Sequence, residues 1–280
     1  MIKVILLGSN GFIGSYLLNL LHKYSESVAL DLPEFDLLTF NCQDFIDSYI
    51  DKNSKTIIIN CIGIMGASIS NEQPTKYLNI NGIYIQKLIN IVNNNNNIKI
   101  INLSSETLYG PQEDNTNPNE ESQLKPSHIY SVSKYIGEEL LRISGCNHIN
   151  LRIPVVIGNS PKEENPFTTF NNSLLKNEKA VIFGNGEHYR KFVTLSRLSK
   201  YLELIIKIKY WDVNGTYNIP GTKFKINEIL NLYKQIEPSL NVEYIKNKKP
   251  YSLFSNHENF NRTFKKFPME NFNDFYKELN

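Results

Sequence analysis

Met1-Ile-Lys-Val-Ile-Leu-Leu7-Gly8-Ser-Asn-Gly11-Phe-Ile-Gly14 opens the chain and decides its fold. The first seven residues read as a short apolar strand with both faces buried, as in a parallel sheet. The glycines then turn the chain into a helix whose apolar period runs through Leu17, Leu18, Leu20 and Leu21. Gly8 permits a tight turn, Gly11 lets backbone approach a pyrophosphate, and Gly14 lets the helix pack close to the strand. Asn10, Phe12 and Ile13 complete the turn, and the N–H groups at the helix start offer a positive dipole end to phosphates. The spacing is Gly-x-x-Gly-x-x-Gly rather than Gly-x-Gly-x-x-Gly, and the strand–turn–helix context makes it a dinucleotide-binding reading.

Downstream, strands and helices alternate: Val28–Leu30, Cys42–Tyr49, Thr56–Cys61, Pro74–Val92, Lys99–Ser104, Ile129–Ile143 and Ile149–Ile153, after Ile2–Leu7 and Ser15–Lys23. Such alternation predicts an α/β, Rossmann-type doubly wound parallel sheet with helices on both faces. The regularity fades after Gly158, so residues 1–157 are expected to form the NAD(P)-binding domain and 158–280 a smaller substrate-binding lobe. In the lobe the pattern predicts helices over Phe167–Leu175, Arg197–Lys207, Ile226–Ile236 and Phe272–Leu279. Strands are expected near Val181–Phe183 and Gly215–Ile219, with segments 181–195 and 215–219 returning to the sheet.

At the end of the second strand stands Asp31, an acid placed to bind adenosine ribose hydroxyls and repel a 2′-phosphate. That favours NAD(H), with NADP(H) possible; the alternative is that Asp31 starts the Asp31-Leu-Pro-Glu turn. Farther along, Tyr130-Ser-Val-Ser-Lys134 puts a phenol and an ammonium one helical turn apart on one face. The positive charge lowers a phenol pKa that is ordinarily about 10, which suits a proton relay near neutral pH.

Across all 280 residues, 30 Lys and Arg nearly balance 28 Asp and Glu, so nucleic acid is not an expected partner. Cys42, Cys61 and Cys146 show no paired spacing, which predicts free thiols in a cytoplasmic protein and no zinc or other metal site. The apolar start is too short for a membrane span and lacks a cleavage pattern, so no membrane association is expected.

With these pieces placed, the chain resembles the extended short-chain dehydrogenase/reductase family, in its NAD-dependent epimerase/dehydratase, nucleotide-sugar branch. Gly8, Gly11 and Gly14 match the cofactor turn, and Asn60-Cys61-Ile62-Gly63 matches a strand end near the cofactor. Asn79-Ile80-Asn81-Gly82 resembles an Asn-Val-x-Gly segment in which Asn79 is the structural asparagine. Leu103-Ser104-Ser105-Glu106-Thr107-Leu108-Tyr109-Gly110 resembles the Ser-Ser/Thr-x-x-Val-Tyr-Gly motif, which puts the catalytic hydroxyl on Ser105, with Ser104 as competitor. Ser105, Tyr130 and Lys134 then form the catalytic triad. Cys61, Gly63 and Asn79 join the cofactor residues, as do Asp36 and Leu37, which resemble an Asp-Leu step beside the adenine. Gly184-Asn185-Gly186-Glu187-His188-Tyr189-Arg190 resembles a loop over the substrate nucleotide, with Arg190 at the diphosphate or, alternatively, in solvent.

The resemblance implies a nucleotide-diphosphate sugar as substrate. A 4,6-dehydratase needs an Asp-Glu pair after the catalytic hydroxyl; here Glu106-Thr107 lacks the second carboxylate, and Glu106 is left either near the sugar or in solvent. Asp36-Leu37 follows Asp31 so soon that a strand–helix segment is trimmed, as in reductases of 4-keto-6-deoxy sugars. The expected activity is therefore 4-keto sugar reduction, with 4-epimerisation on retained NAD second, and 4,6-dehydration or non-catalytic sensing behind. A homodimer through the Tyr130 helix is possible, using Tyr135, Leu140 and Leu141, which could equally be core.

Overall fold

A computed structural model describes residues 2–24, 27–32, 35–36, 38–51, 54–65, 73–93, 95–159, 165–246 and 250–280. Strands β1 (Ile2–Leu7), β2 (Val28–Leu30), β3 (Lys55–Asn60), β4 (Ile98–Ser105), β5 (His148–Ile153) and β9 (Gly215–Asn218) make a six-stranded sheet in the order β2-β1-β3-β4-β5-β9. The pairs β1–β2, β1–β3 and β3–β4 are parallel. The chain leaves β1 toward β2, then crosses back to lay β3 on the other side of β1. The strand order therefore reverses between β1 and β3, which opens a crevice at their carboxyl ends. Among the described residues no strand lies beyond β2, as the early Asp36 implies.

Helices follow the strands: α1 (Phe12–Leu21), α2 (Cys42–Tyr49), α3 (Pro74–Tyr77), α4 (Ile85–Val92) and α5 (Ile129–Ser144). The single helix expected over Pro74–Val92 is instead broken by a π-helical turn, Leu78–Ile83, a form that concentrates at functional sites. Every residue of β4 is buried, as befits a central strand. Ile5, Leu7, Ile58, Leu88, Ile98 and Ile100 form the heart of one core, and Leu141 is fully buried in it, so that residue is core rather than a free apolar face.

Runs such as Ile57-Ile-Ile59 could slip in register without loss of apolar burial. A ladder of buried amides removes that freedom. Asn60 Nδ2 donates to Asn102 Oδ1 at 2.8 Å, and Asn102 Nδ2 donates to Asn150 Oδ1 at 2.9 Å, across β3, β4 and β5. Displacing any of these strands by one residue would orphan amides in a dry interior.

By packing, the chain divides into two compact units that interleave along the sequence. Met1–Leu108, Leu124–Arg152 and Ser199–Tyr217 form one; Tyr109–Gln123, Ile153–Leu198 and Asn218–Asn280 form the other. The second unit holds β6 (Val155–Ile157), β7 (Ala180–Phe183), β8 (Tyr189–Thr194), β10 (Thr222–Lys225) and β11 (Val242–Ile245). Its sheets run β10-β8-β6 and β11-β7. The helices α6 (Pro166–Lys176), α8 (Ile226–Ile236) and α10 (Phe272–Leu279) accompany them, α7 (Leu195–Ile205) spans both units, and α9 is Glu258–Thr263. Phe167 sits among Phe192, Phe224, Tyr233, Phe272 and Phe275 at ring separations of 5.1 to 6.4 Å. The sequence pattern missed β6, β10 and β11 because three or four residues carry little periodicity. Segment 181–195, expected to return to the main sheet, instead pairs as β7 with β11 and as β8 with β6 and β10.

One buried ion pair joins helix to sheet in the first unit. Arg152 on β5 donates through Nη2 to Glu138 Oε2 on α5 at 2.7 Å and through Nε to Glu138 Oε1 at 3.1 Å. Both side chains are nearly inaccessible. Glu138→Ala should therefore cost about 3–5 kcal/mol by removing the carboxylate that offsets a buried guanidinium's charge. Urea unfolding checks this, and a loss below about 1 kcal/mol would show that the pair is not pinning α5 to the sheet.

Candidate functional site

The site begins at the β1–α1 turn. Gly8 has φ +83°, in the left-handed region, and a Cβ there would lie 2.9 Å from Ile62 N. A Cβ on Gly14 would lie 1.9 Å from Gly8 O, so only glycine lets α1 come this close. Helix α1 starts at Phe12, earlier than expected, with Gly11 as N-cap and no side chain capping its amides. Those amides remain available to an anion. Asp31 accepts from Asn10 N at 2.7 Å through Oδ2 and from Leu32 N at 2.8 Å through Oδ1. It thus both starts a turn and ties the end of β2 to the glycine turn. Asp36 Oδ1 accepts from Leu38 N at 2.8 Å, while Leu37 lies outside the described residues. A glycine cradle that a Cβ would fill, an uncapped helix and an acid at the β2 end together fit a dinucleotide.

Across the crevice, Cys61, Ile62 and Gly63 extend from β3. A Cβ on Gly63 would stand 2.9 Å from Lys134 Nζ, so the missing side chain makes room for the ammonium. Lys134 is buried, and its Nζ donates to Leu103 O on β4 at 3.0 Å. Burial lowers its pKa to about 8, against the opposing pull of Cys61 and Glu138. Burial likewise pushes the Cys61 thiol up to about 12, with Lys134 drawing it down, so it is a neutral thiol at physiological pH.

Helix α5 is held against the π-helical turn by small residues. A Cβ on Gly137 would be 2.9 Å from Asn81 O, and one on Gly82 would be 3.0 Å from Ser133 O. The structural role expected of Asn79 is filled by Asn81. Its Oδ1 accepts from Ile64 N at 2.9 Å, and its Nδ2 donates to Ile64 O at 3.0 Å and to Ser133 Oγ at 3.1 Å. Ser133 Oγ in turn donates to Tyr130 O at 2.8 Å. One buried amide therefore connects the β3 end to the backbone of Tyr130. The π-helical turn is the physical reason for the shift, because its wider winding changes which residues face α5. The carbonyl of Asn79 accepts from Tyr84 N at 3.0 Å.

Tyr130 and Lys134 share a face of α5, as their spacing requires. His128 caps that helix, its Nδ1 accepting from Ser131 N at 3.2 Å, and its ring stacks on Tyr130 at 5.9 Å. Ser105 ends β4, two residues after the carbonyl that holds Lys134. Its Oγ lies 2.9 Å from Thr107 Oγ1 and accepts from Thr107 N at 3.2 Å. Ser104 Oγ is buried with no hydrogen-bond partner among the described residues. Glu106 begins a 3-10 turn, Glu106–Tyr109, and is 2% exposed, which removes the solvent-facing alternative.

Arg190 belongs to the second unit and lies on β8, not in a loop. Its Nη1 donates to Tyr189 O at 3.1 Å and to Tyr251 O, and its guanidinium stacks on the Tyr251 ring at 4.9 Å. The solvent-facing alternative therefore does not describe it. Asn81, Ser133 and His128 are the site residues to which sequence reasoning gave no role, and Thr107 was noted only for lacking a carboxylate. Of these only Ser133 carried a signal, three residues after Tyr130 and hence one turn along.

Among the described residues, no three His, Cys, Asp or Glu cluster as a metal site, and no helix is long and apolar enough to cross a membrane. The model of the NAD dependent epimerase/dehydratase family matches residues 4–219. A dTDP-D-glucose 4,6-dehydratase of Dictyostelium discoideum is 25% identical over 265 residues, covering 81% of this chain. The chain spans 60% of that relative's length. A protein of Methanocaldococcus jannaschii described as a putative UDP-glucose 4-epimerase is 26% identical over 253 residues, covering 82% of this chain and 81% of its own. The crystal structure of UDP-glucuronic acid 4-epimerase from Bacillus cereus, in complex with UDP-glucuronic acid and NAD, superposes with a TM-score of 0.84. That match covers 99% of this chain and 97% of the other at 20% identity, a likeness of fold.

The His128 cap generates a pH prediction. Burial lowers the His128 pKa below 6.5, so the neutral ring's stabilisation is complete above pH 6.5 and is lost as pH falls through the folded-state value. His128→Asn keeps a good N-cap but cannot titrate. Thermal melts should find the two proteins alike at pH 7.5, with the wild type losing more stability below pH 6.5. Parallel loss in both would show that His128 is not the acid-sensitive cap.

Proposed function

The chain belongs to the NAD dependent epimerase/dehydratase family, and we propose that it is a nucleotide-sugar oxidoreductase that reduces a 4-keto (deoxy)sugar nucleotide in the cytoplasm. One observation carries the reading: a buried Lys134 ammonium lodges between Gly63 and Leu103 O, with Tyr130 on its helical face and Ser105 at the end of the same strand. The residues fit NAD(H), which when bound supplies the hydride that moves to or from the sugar carbon. Gly8, Asn10, Gly11, Phe12, Ile13 and Gly14 hold its diphosphate, Asp31 and Asp36 its adenosine end, and Cys61, Gly63 and Asn79 line its path. Lys134 secures the nicotinamide ribose and, by its charge, makes the Tyr130 phenol a better acid. Tyr130 gives its proton to the sugar oxygen, while Ser105 donates a hydrogen bond to the same oxygen and shares its developing negative charge.

Thr107 supports reduction over dehydration, because it offers a hydroxyl where water elimination needs a carboxylate base, and that hydroxyl is already engaged with Ser105. The sheet edge at β2 supports the reductase further, since trimming there resembles reductases of 4-keto-6-deoxy sugars. Arg190 serves the substrate diphosphate in this reading, and Glu106 stands near the sugar. A homodimer belongs to it too, with Tyr135 and Leu140 half-buried on α5. The second reading, a nucleotide-sugar 4-epimerase, is favoured by the likeness to the Methanocaldococcus jannaschii protein described as a putative UDP-glucose 4-epimerase.

A panel of nucleotide sugars and their 4-keto forms, each with NADH or NADPH, tests both. Stoichiometric NADH consumption with a keto sugar is expected. Interconversion of two sugars without net cofactor turnover would replace reduction by epimerisation. Tyr130→Phe should lose turnover by about 10²–10⁴-fold while still binding cofactor; unchanged turnover would end the catalytic reading.

A further inference from the structure

We infer that Thr107 is a positioning residue that makes the Ser105 hydroxyl a one-way donor toward the substrate oxygen. The inference rests on the reading of Ser105 as the catalytic hydroxyl. A serine hydroxyl has one proton and two lone pairs. The Thr107 amide, 3.2 Å away, takes one lone pair. The Thr107 hydroxyl at 2.9 Å can take the other by donating, or can receive the Ser105 proton. A sugar carbonyl or alkoxide oxygen accepts only, so its arrival fixes the choice. Ser105 must donate to it, and Thr107 must donate to Ser105. Both groups of residue 107 then point into Ser105 Oγ, and the serine proton has no other direction.

Local structure makes this arrangement natural. Residue 105 ends β4 and residue 106 starts the 3-10 turn, which folds residue 107 back over the strand end. The β-branched threonine has few χ1 choices, so its hydroxyl stays aimed. Chained hydrogen bonds polarise one another, and a donor already receiving two bonds is a stronger donor to a developing anion. Serine at 107 would keep the chemistry with less rigidity, and valine would keep the shape and the amide without the hydroxyl.

A double-mutant cycle on the nucleotide sugar turned over by the wild-type protein tests this. Thr107→Val should lower kcat about five- to tenfold, the worth of one neutral hydrogen bond, with KM within about twofold. Thr107→Ser should restore most of kcat, and melting temperatures should stay close to wild type. In a Ser105→Ala background, adding Thr107→Val should cost nothing further. If Thr107→Val is silent, or costs as much without Ser105 as with it, the coupling is overturned while the catalytic reading stands. If Ser105→Ala itself leaves kcat unchanged, the catalytic reading fails and this inference fails with it.

Discussion

A buried ammonium is the constraint on which the rest depends. Lys134 is 7% exposed, and an unpaired charge at such depth is costly enough that the group's pKa falls to about 8. Its neighbours offset this only in part: the Leu103 carbonyl accepts from Nζ at 3.0 Å, and Glu138 lies one turn along the helix. Glu138 is itself committed to Arg152. Placing Lys134 there demands a glycine at 63, a strand end at Leu103 and a helix pressed close to both. Gly82 and Gly137 permit that pressure, and Asn81 ties the neighbouring backbone together. A cost of this kind persists where the charge has work to do, which in the proposed function is holding a cofactor ribose and acidifying a phenol.

The sheet supplies the other half. Because strand order reverses between β1 and β3, the glycine turn after β1 and the Cys61–Gly63 segment after β3 face one crevice. Gly8 lies against Ile62, so the two walls meet at its base. The amide ladder through Asn60, Asn102 and Asn150 fixes the heights of the strand ends above it. A single residue of slip in β4 would move Leu103 O from the ammonium and turn Ser105 to the other face. Register, packing and chemistry are therefore one specification.

Much of this was legible in the sequence because it is local. The glycine turn, the Tyr130–Lys134 spacing and the alternation of β1 to β5 with their helices depend on neighbours along the chain. What escaped notice depends on winding or on distant partners. Nothing in Asn79-Ile-Asn81 announces a π-helical turn, so the first asparagine took the role that belongs to the second. Arg190 looked like loop because segment 184–190 resembles a substrate loop, yet β10 and β6 flank it as part of strand β8. Glu106 looked ordinary, and only the 3-10 turn after β4 buries it. The partners of Thr107 and His128 follow from side-chain rotamers at element ends, where periodicity says nothing.

The most direct measurement is a crystal structure of the protein with NAD and a nucleotide sugar bound. The account predicts the diphosphate on the Gly8–Gly14 turn and the nicotinamide ribose on Lys134. It also predicts one sugar oxygen within about 3 Å of both the Tyr130 and Ser105 hydroxyls. A dinucleotide lying elsewhere, or a sugar whose oxygen meets neither hydroxyl, would contradict it.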